Sequence, residues 1–159
     1  MTNESLPERA FRVQGIPHAE AIKLTVLKVD ETGATAMVPY DPRFIGNPET
    51  GVIHGGLVTT MLDNTCGIAV NAKAGPKHAG TIATLDLRID YMKPAEAGQD
   101  IYCHCECYKV TRNIAFVRGT AYHSDPADPV ATCTAAIMIG AKSGAGSNMS
   151  ANLSAKGSK

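Results

Sequence analysis

The sequence predicts an α+β fold, an antiparallel six-stranded sheet wrapped around one long central helix. Three observations carry that expectation. Six runs have the β-branched content, the alternation and the flanking turn residues of strands. One segment, Gly56 to Lys73, lacks alternation and shows a helical stripe instead: Leu57, Met61 and Thr65 at four-residue steps, with Val58, Leu62 and Ala69 beside them. The order is two strands, the helix, then four strands. A helix apolar around much of its circumference must be buried, and six strands can curl around it. The 159 residues suit a single domain, since domains most often have about 100–150 residues.

The first twenty residues, with Pro7, Gly15 and Pro17, are mixed in character, and Glu8 to Gln14 suits a short helix ahead of the domain proper, taken as 21–141. Ile22 to Val29 and Ala34 to Val38 read as an opening hairpin across Asp30-Glu31-Thr32-Gly33. Asp41 to Thr50, with Pro42, Gly46, Asn47 and Pro48, reads as an irregular loop. After the helix and Gly75-Pro76, the next run alternates Ala83, Leu85, Leu87, Ile89 and Tyr91 against Thr84, Asp86, Arg88 and Asp90, and stops at Pro94. Ile101 to Val110, Ile114 to Tyr122 and Val130 to Gly140 complete the sheet, with turn chemistry between them. The segment 142–159 is rich in Ser, Gly, Ala, Asn and Lys without aromatics, the composition of a disordered tail.

Composition narrows the partners. Fifteen Lys plus Arg balance fifteen Asp plus Glu, so there is no broad positive field of the kind that holds nucleic acid. Neither a signal peptide nor an apolar run of about 20 residues is apparent, which makes a cytosolic protein without membrane contact the expectation. Cys103, Cys105 and Cys107 alternate on one strand, about 6–7 Å apart on one face. Thiolates sharing a zinc ion at about 2.3 Å sit closer together than that, so these three are expected to be reduced core residues, with no metal.

Chemistry concentrates between Asn47 and Asn64. His54-Gly55-Gly56 opens the buried helix, and two glycines at a helix start leave backbone N–H groups uncovered at the positive end of the dipole. Such amides bind anions or a carbonyl oxygen, and in acyl transfer they act most strongly as that oxygen gains charge. Asp63 is a carboxylate within the apolar helix, a candidate for activating water. The nine steps from His54 to Asp63 turn the carboxylate to the opposite side of the axis at about 100° per residue. If the two cooperate, they do so across a two-fold dimer with two composite sites. The same residues have a plainer reading: a tight turn, a helix-start hydrogen bond from His54, and Asp63 as partner of a buried amide.

The combination resembles a known family. His54-Gly55-Gly56 followed by Asp63, after Gly46-Asn47-Pro48 and Gly51, looks like the PaaI-like branch of the hotdog thioesterases, in the 4-hydroxybenzoyl-CoA thioesterase superfamily. So does Asp90-Tyr91-Met92-Lys93-Pro94-Ala95, and Thr111-Arg112-Asn113 with Ala115-Phe116-Val117-Arg118-Gly119 is similar to its later strands. The resemblance runs from about Ala21 to Gly140. It implies a single hotdog domain, dimers pairing into tetramers, and hydrolysis of acyl-CoA without metal or organic cofactor, CoA being part of the substrate. Carried onto this sequence, the Gly55 amide polarises the thioester carbonyl, and Asp63 of a partner subunit is general base or nucleophile. Asn47 and His54 position water and thioester, and Thr84 matches a supporting hydroxyl. One departure is that Asn47 lies seven residues before His54, where some relatives have six.

For substrate binding the expectation is Gly56 at the helix start, with Arg88, Arg112 and Lys93 drawn from a group of cations on the later strands and turns that also includes Lys109 and Arg118. Arg112, in a turn, is the foremost of these. A non-catalytic acyl-CoA binder of the same fold is the main alternative, and a hydroxyacyl thioester dehydratase is a further one whose loop-and-helix motif is not found here. The sequence contains no Gly-x-Ser-x-Gly elbow, so a serine triad lacks its nucleophile.

Overall fold

A computed structural model describes residues 11–75 and 82–140. The expected tail, 142–159, lies outside the described residues. The elements in order are β1 (Phe11–Arg12), α1 (Pro17–Ala21), β2 (Thr25–Asp30), β3 (Gly33–Val38), a 3-10 turn at Pro42–Phe44, β4 (Ile45–Asn47), β5 (Val52–Ile53), α2 (Gly55–Ala74), β6 (Ile82–Tyr91), β7 (Ile101–Val110), β8 (Ile114–Tyr122) and β9 (Ala131–Ile139). The six long strands are those expected. All pairings are antiparallel, and the sheet order is β1-β2-β3-β7-β8-β9-β6. This is the α+β hotdog arrangement, one long helix packed against an antiparallel sheet.

The N-terminal segment departs from expectation. Of the helix expected over Glu8 to Gln14, residues 8–10 lie outside the described residues, and Phe11–Arg12 is a strand that extends the sheet beside β2. The helix in this region is Pro17–Ala21, where proline at the first position supplies a preset φ and sacrifices no needed N–H. Val13 and Ala19 are buried, so residues before 21 contribute to the same core. Strand β2 starts at Thr25 because Ile22 closes α1 and Lys23 takes a left-handed turn (φ 57°).

The β2–β3 hairpin turns where predicted. The Asp30 carboxylate accepts the Thr32 N–H at 2.8 Å, and Gly33 has φ 149°. A Cβ on Gly33 would lie 2.1 Å from the Cys105 carbonyl oxygen, so only glycine fits between β3 and β7. The region expected as an irregular loop has order of its own. Asp41 caps the 3-10 turn by accepting the Arg43 N–H, and β4 pairs with β5 as a small separate hairpin. His54 N–H donates to the Phe44 carbonyl at 2.8 Å, which ties the hairpin to the start of α2.

The inner face of the sheet is built from small residues. Cys103, Cys105 and Cys107 of β7, Ala115, Val117 and Ala121 of β8, and Ala131, Cys133 and Ala135 of β9 are all buried. Small inward side chains let the sheet close tightly on Met61, Leu62 and Cys66 of α2, which are fully buried. The helix ends at Gly75, whose φ of 74° permits a left-handed cap and whose N–H bonds the Asn71 carbonyl. Among the described residues no helix is long and apolar enough to cross a membrane.

Strand β6 carries a local irregularity that decides what faces α2. Its register against β9 shifts between Thr84 and Asp86. Before the shift Ile82 and Thr84 face the helix, and after it Leu87, Ile89 and Tyr91 do. The alternation read from sequence placed Thr84 on the outer face with Asp86, Arg88 and Asp90. A bulge reverses the phase of a strand, and that reversal is what turns the Thr84 hydroxyl inward.

Candidate active site

Helix α2 starts at a residue with no side chain and a capped second amide. His54, extended at φ −63° and ψ 130°, accepts the Gly56 N–H on Nδ1 at 2.9 Å. The cap therefore takes the Gly56 amide and not the first amide of the helix, that of Gly55. Gly55 borders a cavity of about 360 Å³ lined also by Ile53, Val58, Tyr91, Met92 and Pro94. Gly55 and this space thus lie together at the start of α2.

Two further side chains meet Gly55. The Tyr91 hydroxyl donates to the Gly55 carbonyl at 2.8 Å, and Thr59 Oγ1 donates to the same oxygen at 3.2 Å. The two hydroxyls are 2.8 Å apart. Neither residue was assigned a role from sequence. Tyr91 was legible as the last inward residue of an alternating strand, but nothing in the pattern indicated that its hydroxyl would reach across to the helix start.

Asp63 is half-buried on the outward side of α2, and Thr84 Oγ1 donates to its Oδ1 at 2.9 Å. The structure therefore brings Asp63 and Thr84 together, as the β6 register shift allows. It does not bring Asp63 to His54 or Gly55 within one chain. Gly55 and Asp63 are eight residues apart on a continuous helix, about 12 Å along the axis at about 1.5 Å per residue. Gly55 packs against the end of β6 and Asp63 against its beginning.

Asn47 ends β4, and its side-chain oxygen accepts the Glu49 N–H at 3.0 Å while its carbonyl accepts the Gly51 N–H at 2.9 Å. Its oxygen shapes the turn into β5. The cations expected to bind phosphate are dispersed, although Lys93 lines the cavity that Gly55 borders. Arg88 pairs with Asp90 at 3.0 Å, Lys93 pairs with Asp128, and Arg118 pairs with Glu106 at 2.9 Å. Lys109 and Arg112 are exposed. Lys93 follows Tyr91, which pairs with Ala131, whereas Arg112 precedes Ile114, which pairs with Met138. The two thus lie at opposite ends of the sheet and do not converge within one chain.

The thiols present a cluster that one strand alone could not form. Cys66 of α2, Cys105 of β7 and Cys133 of β9 place their sulfurs within 4.8 Å of one another, with Cys66 Sγ 3.6 Å from Cys105 Sγ and 3.9 Å from Cys133 Sγ. These are the described residues whose donor atoms come close enough to share a metal ion. All three are buried in the apolar core. Contact with Cys103, Cys133 and Cys66, together with burial, pushes the Cys105 thiol well up, and burial pushes up Cys107. Hydrogen bonds from Cys105 and Cys66 shift the Cys133 thiol the other way, downward, whereas a metal would require all three as charged thiolates in the apolar core.

Known proteins give this geometry a family. The sequence profile of the Thioesterase superfamily matches residues 50–130, the stretch that carries α2, Asp63 and Thr84. The chain belongs to the thioesterase superfamily. As a member of it, the chain is 48% identical to a Pseudomonas aeruginosa protein of solved crystal structure, covering 77% of this chain and 90% of that one with a TM-score of 0.70. It is also similar to the medium/long-chain acyl-CoA thioesterase YigI of Escherichia coli, 22% identical over 84% of this chain and 96% of the relative. Human acyl-coenzyme A thioesterase 13 is 33% identical over 42% of this chain, which spans 45% of that relative's length. Thioester hydrolysis is thus the general chemistry to which this thioesterase-superfamily fold points.

Proposed function

We propose that this chain hydrolyses an acyl-CoA thioester, RCO–S–CoA plus water giving RCOOH and HS–CoA, at composite sites between two subunits. The observation that carries the reading is the first amide of α2 at Gly55, left by the His54 cap and bordering an open cavity. The names of the YigI and human relatives support acyl-CoA as substrate class. In each site the Gly55 N–H of one subunit donates to the thioester oxygen. The partner's Asp63, held by Thr84, takes a proton from water as the water oxygen attacks the carbonyl carbon. Negative charge then builds on the oxygen facing Gly55, where a preorganised donor is strongest. Collapse of the tetrahedral intermediate breaks the C–S bond and releases the CoA thiolate, which takes up a proton. Direct attack by the Asp63 carboxylate, followed by hydrolysis of the resulting anhydride, uses the same atoms. Label found in Asp63 after a single turnover in ¹⁸O-water would identify the anhydride route with water attacking the aspartyl carbon, since a general base gains no oxygen from water.

Strand β6 supports the two-subunit arrangement. It is ten residues long, pairs only with β9 among the described strands, and leaves Leu85 and Tyr91 about half exposed. A long edge strand with exposed apolar residues is a template for pairing with another chain. Two copies meeting along β6 about a two-fold axis would run their α2 helices in opposite directions, carrying Gly55 of one toward Asp63 of the other. Pairing of such dimers into tetramers belongs to the same proposal. His54 and Gly56 would line the substrate's reactive end, and Asn47 would help to position water. No metal or organic cofactor enters this chemistry.

The test is a mixed dimer. A subunit carrying Asp63→Asn, combined with one carrying Gly55→Pro, contains one intact Gly55–Asp63 pair and one doubly damaged pair. Thiol release from acyl-CoA should return to about half of wild type although each homodimer is inactive. Mixed dimers as inactive as their parents would refute shared sites.

A further inference from the structure

The first peptide groups of α2 are held in an unusual way. The group joining Gly55 to Gly56 is clamped at both ends. Its N–H is taken by His54 Nδ1 at 2.9 Å, and its carbonyl receives the Tyr91 hydroxyl at 2.8 Å and Thr59 Oγ1 at 3.2 Å. The preceding group, which carries the Gly55 N–H, is joined to this clamped unit through the Gly55 α-carbon.

Glycine there has a consequence. Without a Cβ, rotation about the backbone bonds of Gly55 meets little steric resistance, so the direction of its N–H rests on the single bond from the Leu57 N–H to the His54 carbonyl at 2.9 Å and on what holds the next peptide. Tyr91 supplies what the missing side chain does not. A Cβ on Gly55 would lie 3.3 Å from both Cε1 and the hydroxyl oxygen of Tyr91, so the ring occupies the space directly over the glycine. The hydroxyl also fastens the far side of the adjoining peptide. We propose that Tyr91 is a positioning residue, which sets the direction of the Gly55 N–H by locking the Gly55–Gly56 peptide from strand β6. This rests on the reading of Gly55 as donor to the thioester carbonyl.

A donor stabilises the oxyanion only if it already points at the place where charge develops, because reorientation during the reaction would consume the gain. A misplacement of about 1 Å can lower a rate about a hundredfold. Tyr91 therefore acts on kcat. It acts little on KM, because an N–H of wandering direction still accommodates the neutral ground-state carbonyl.

The variant is Tyr91→Phe, which keeps the ring over Gly55 and removes the hydroxyl. It should lower kcat for acyl-CoA hydrolysis about ten- to a hundredfold, with KM within about twofold. Binding of acyl-CoA to Asp63→Asn provides a second readout, the infrared stretch of the bound thioester carbonyl. A directed N–H lowers that frequency, and adding Tyr91→Phe should move it back toward the value in water. A kcat within about twofold of wild type, or an unmoved carbonyl stretch, overturns the assignment. Thr59→Val removes the second hydroxyl on the same oxygen and should give a smaller shift in the same direction; a shift larger than that of Tyr91→Phe would assign the positioning to Thr59 instead. Asp63→Asn alone separates this proposal from the site on which it rests. If that variant turns over at the wild-type rate, the active-site reading fails; if it is inactive while Tyr91→Phe is unimpaired, only the role of Tyr91 fails.

Discussion

The two halves of α2 are built on different plans. From Leu57 to Asn64 pairs alternate: Leu57-Val58 and Met61-Leu62 are buried, while Thr59-Thr60 and Asp63-Asn64 are half-open. From Thr65 to Asn71 every residue is buried, and Cys66 meets Cys105 and Cys133 there. In the first half one helix face surfaces beside edge strand β6, and its polar groups are free to meet a substrate or a second subunit. In the second half the small inner face of the sheet closes around the helix, leaving room for packing alone. In the proposed mechanism chemistry thus occupies the part of the helix that the fold leaves open, and packing the part that it encloses.

The sharpest way to break this division is at Asp63. Asp63→Asn, on the open half, should reduce thiol release about 10²- to 10⁴-fold, the usual contribution of a general base, with an unchanged circular dichroism spectrum and unfolding midpoint. A parallel drop in stability would place Asp63 among the structural residues. Gly55→Pro comes next. Proline suits the first helical position, and His54 already has the extended backbone that a following proline requires, but the added Cβ would lie 3.3 Å from the Tyr91 ring, so the substitution removes the N–H and also displaces Tyr91. It should cost about 10²- to 10³-fold in kcat.

On the closed half the effect should be on stability. A Cβ at Gly119 would fall 2.6 Å from Cys105 Sγ and 2.9 Å from Cys133 Sγ, both of them buried in the core. Gly119→Ala should therefore lower unfolding free energy by about 1–3 kcal/mol in urea, with kcat per folded molecule little altered. A neutral result would mean that the thiol cluster is looser than the contacts indicate.

The hairpin leading to the open half should be sensitive to acid. Arg43, and with it Lys23, holds the Asp41 carboxyl well below its usual value near 3.8. Since the folded value is depressed, the stabilisation is present above the unfolded value and is lost as pH falls toward the folded one. Wild type should exceed Asp41→Asn in denaturation midpoint at neutral pH, and the difference should shrink below about pH 4. An unchanging difference would assign the effect to the cap alone. The smallest effect belongs to Arg112→Glu, at the end of the sheet far from Lys93, for which a few-fold rise in KM with little change in kcat is expected.

Much of this was legible along the chain. The six long strands, the central helix and its His54-Gly55-Gly56 opening follow from periodicity and local chemistry, which depend on neighbours a few residues away. Asp63 was identifiable because a carboxylate in an apolar helix is an anomaly within its own segment. Other features depended on contacts between distant segments. The β6 register shift turned Thr84 toward Asp63, although strict alternation put it on the outer face. Cys66 and Cys133, single residues in separate elements, joined Cys105, although only the run in β7 drew notice. The cations Arg88, Lys93 and Arg118 found carboxylate partners that no spacing rule specified.

By itself the sequence determined the elements, the buried helix and the residue types at its open start, because side-chain periodicity and capping are local properties of a polypeptide. Only the tertiary structure decided which hydroxyl meets Gly55, which meets Asp63, and which thiols touch. Those meetings depend on strand register, and one extra residue in a strand reverses every side chain beyond it.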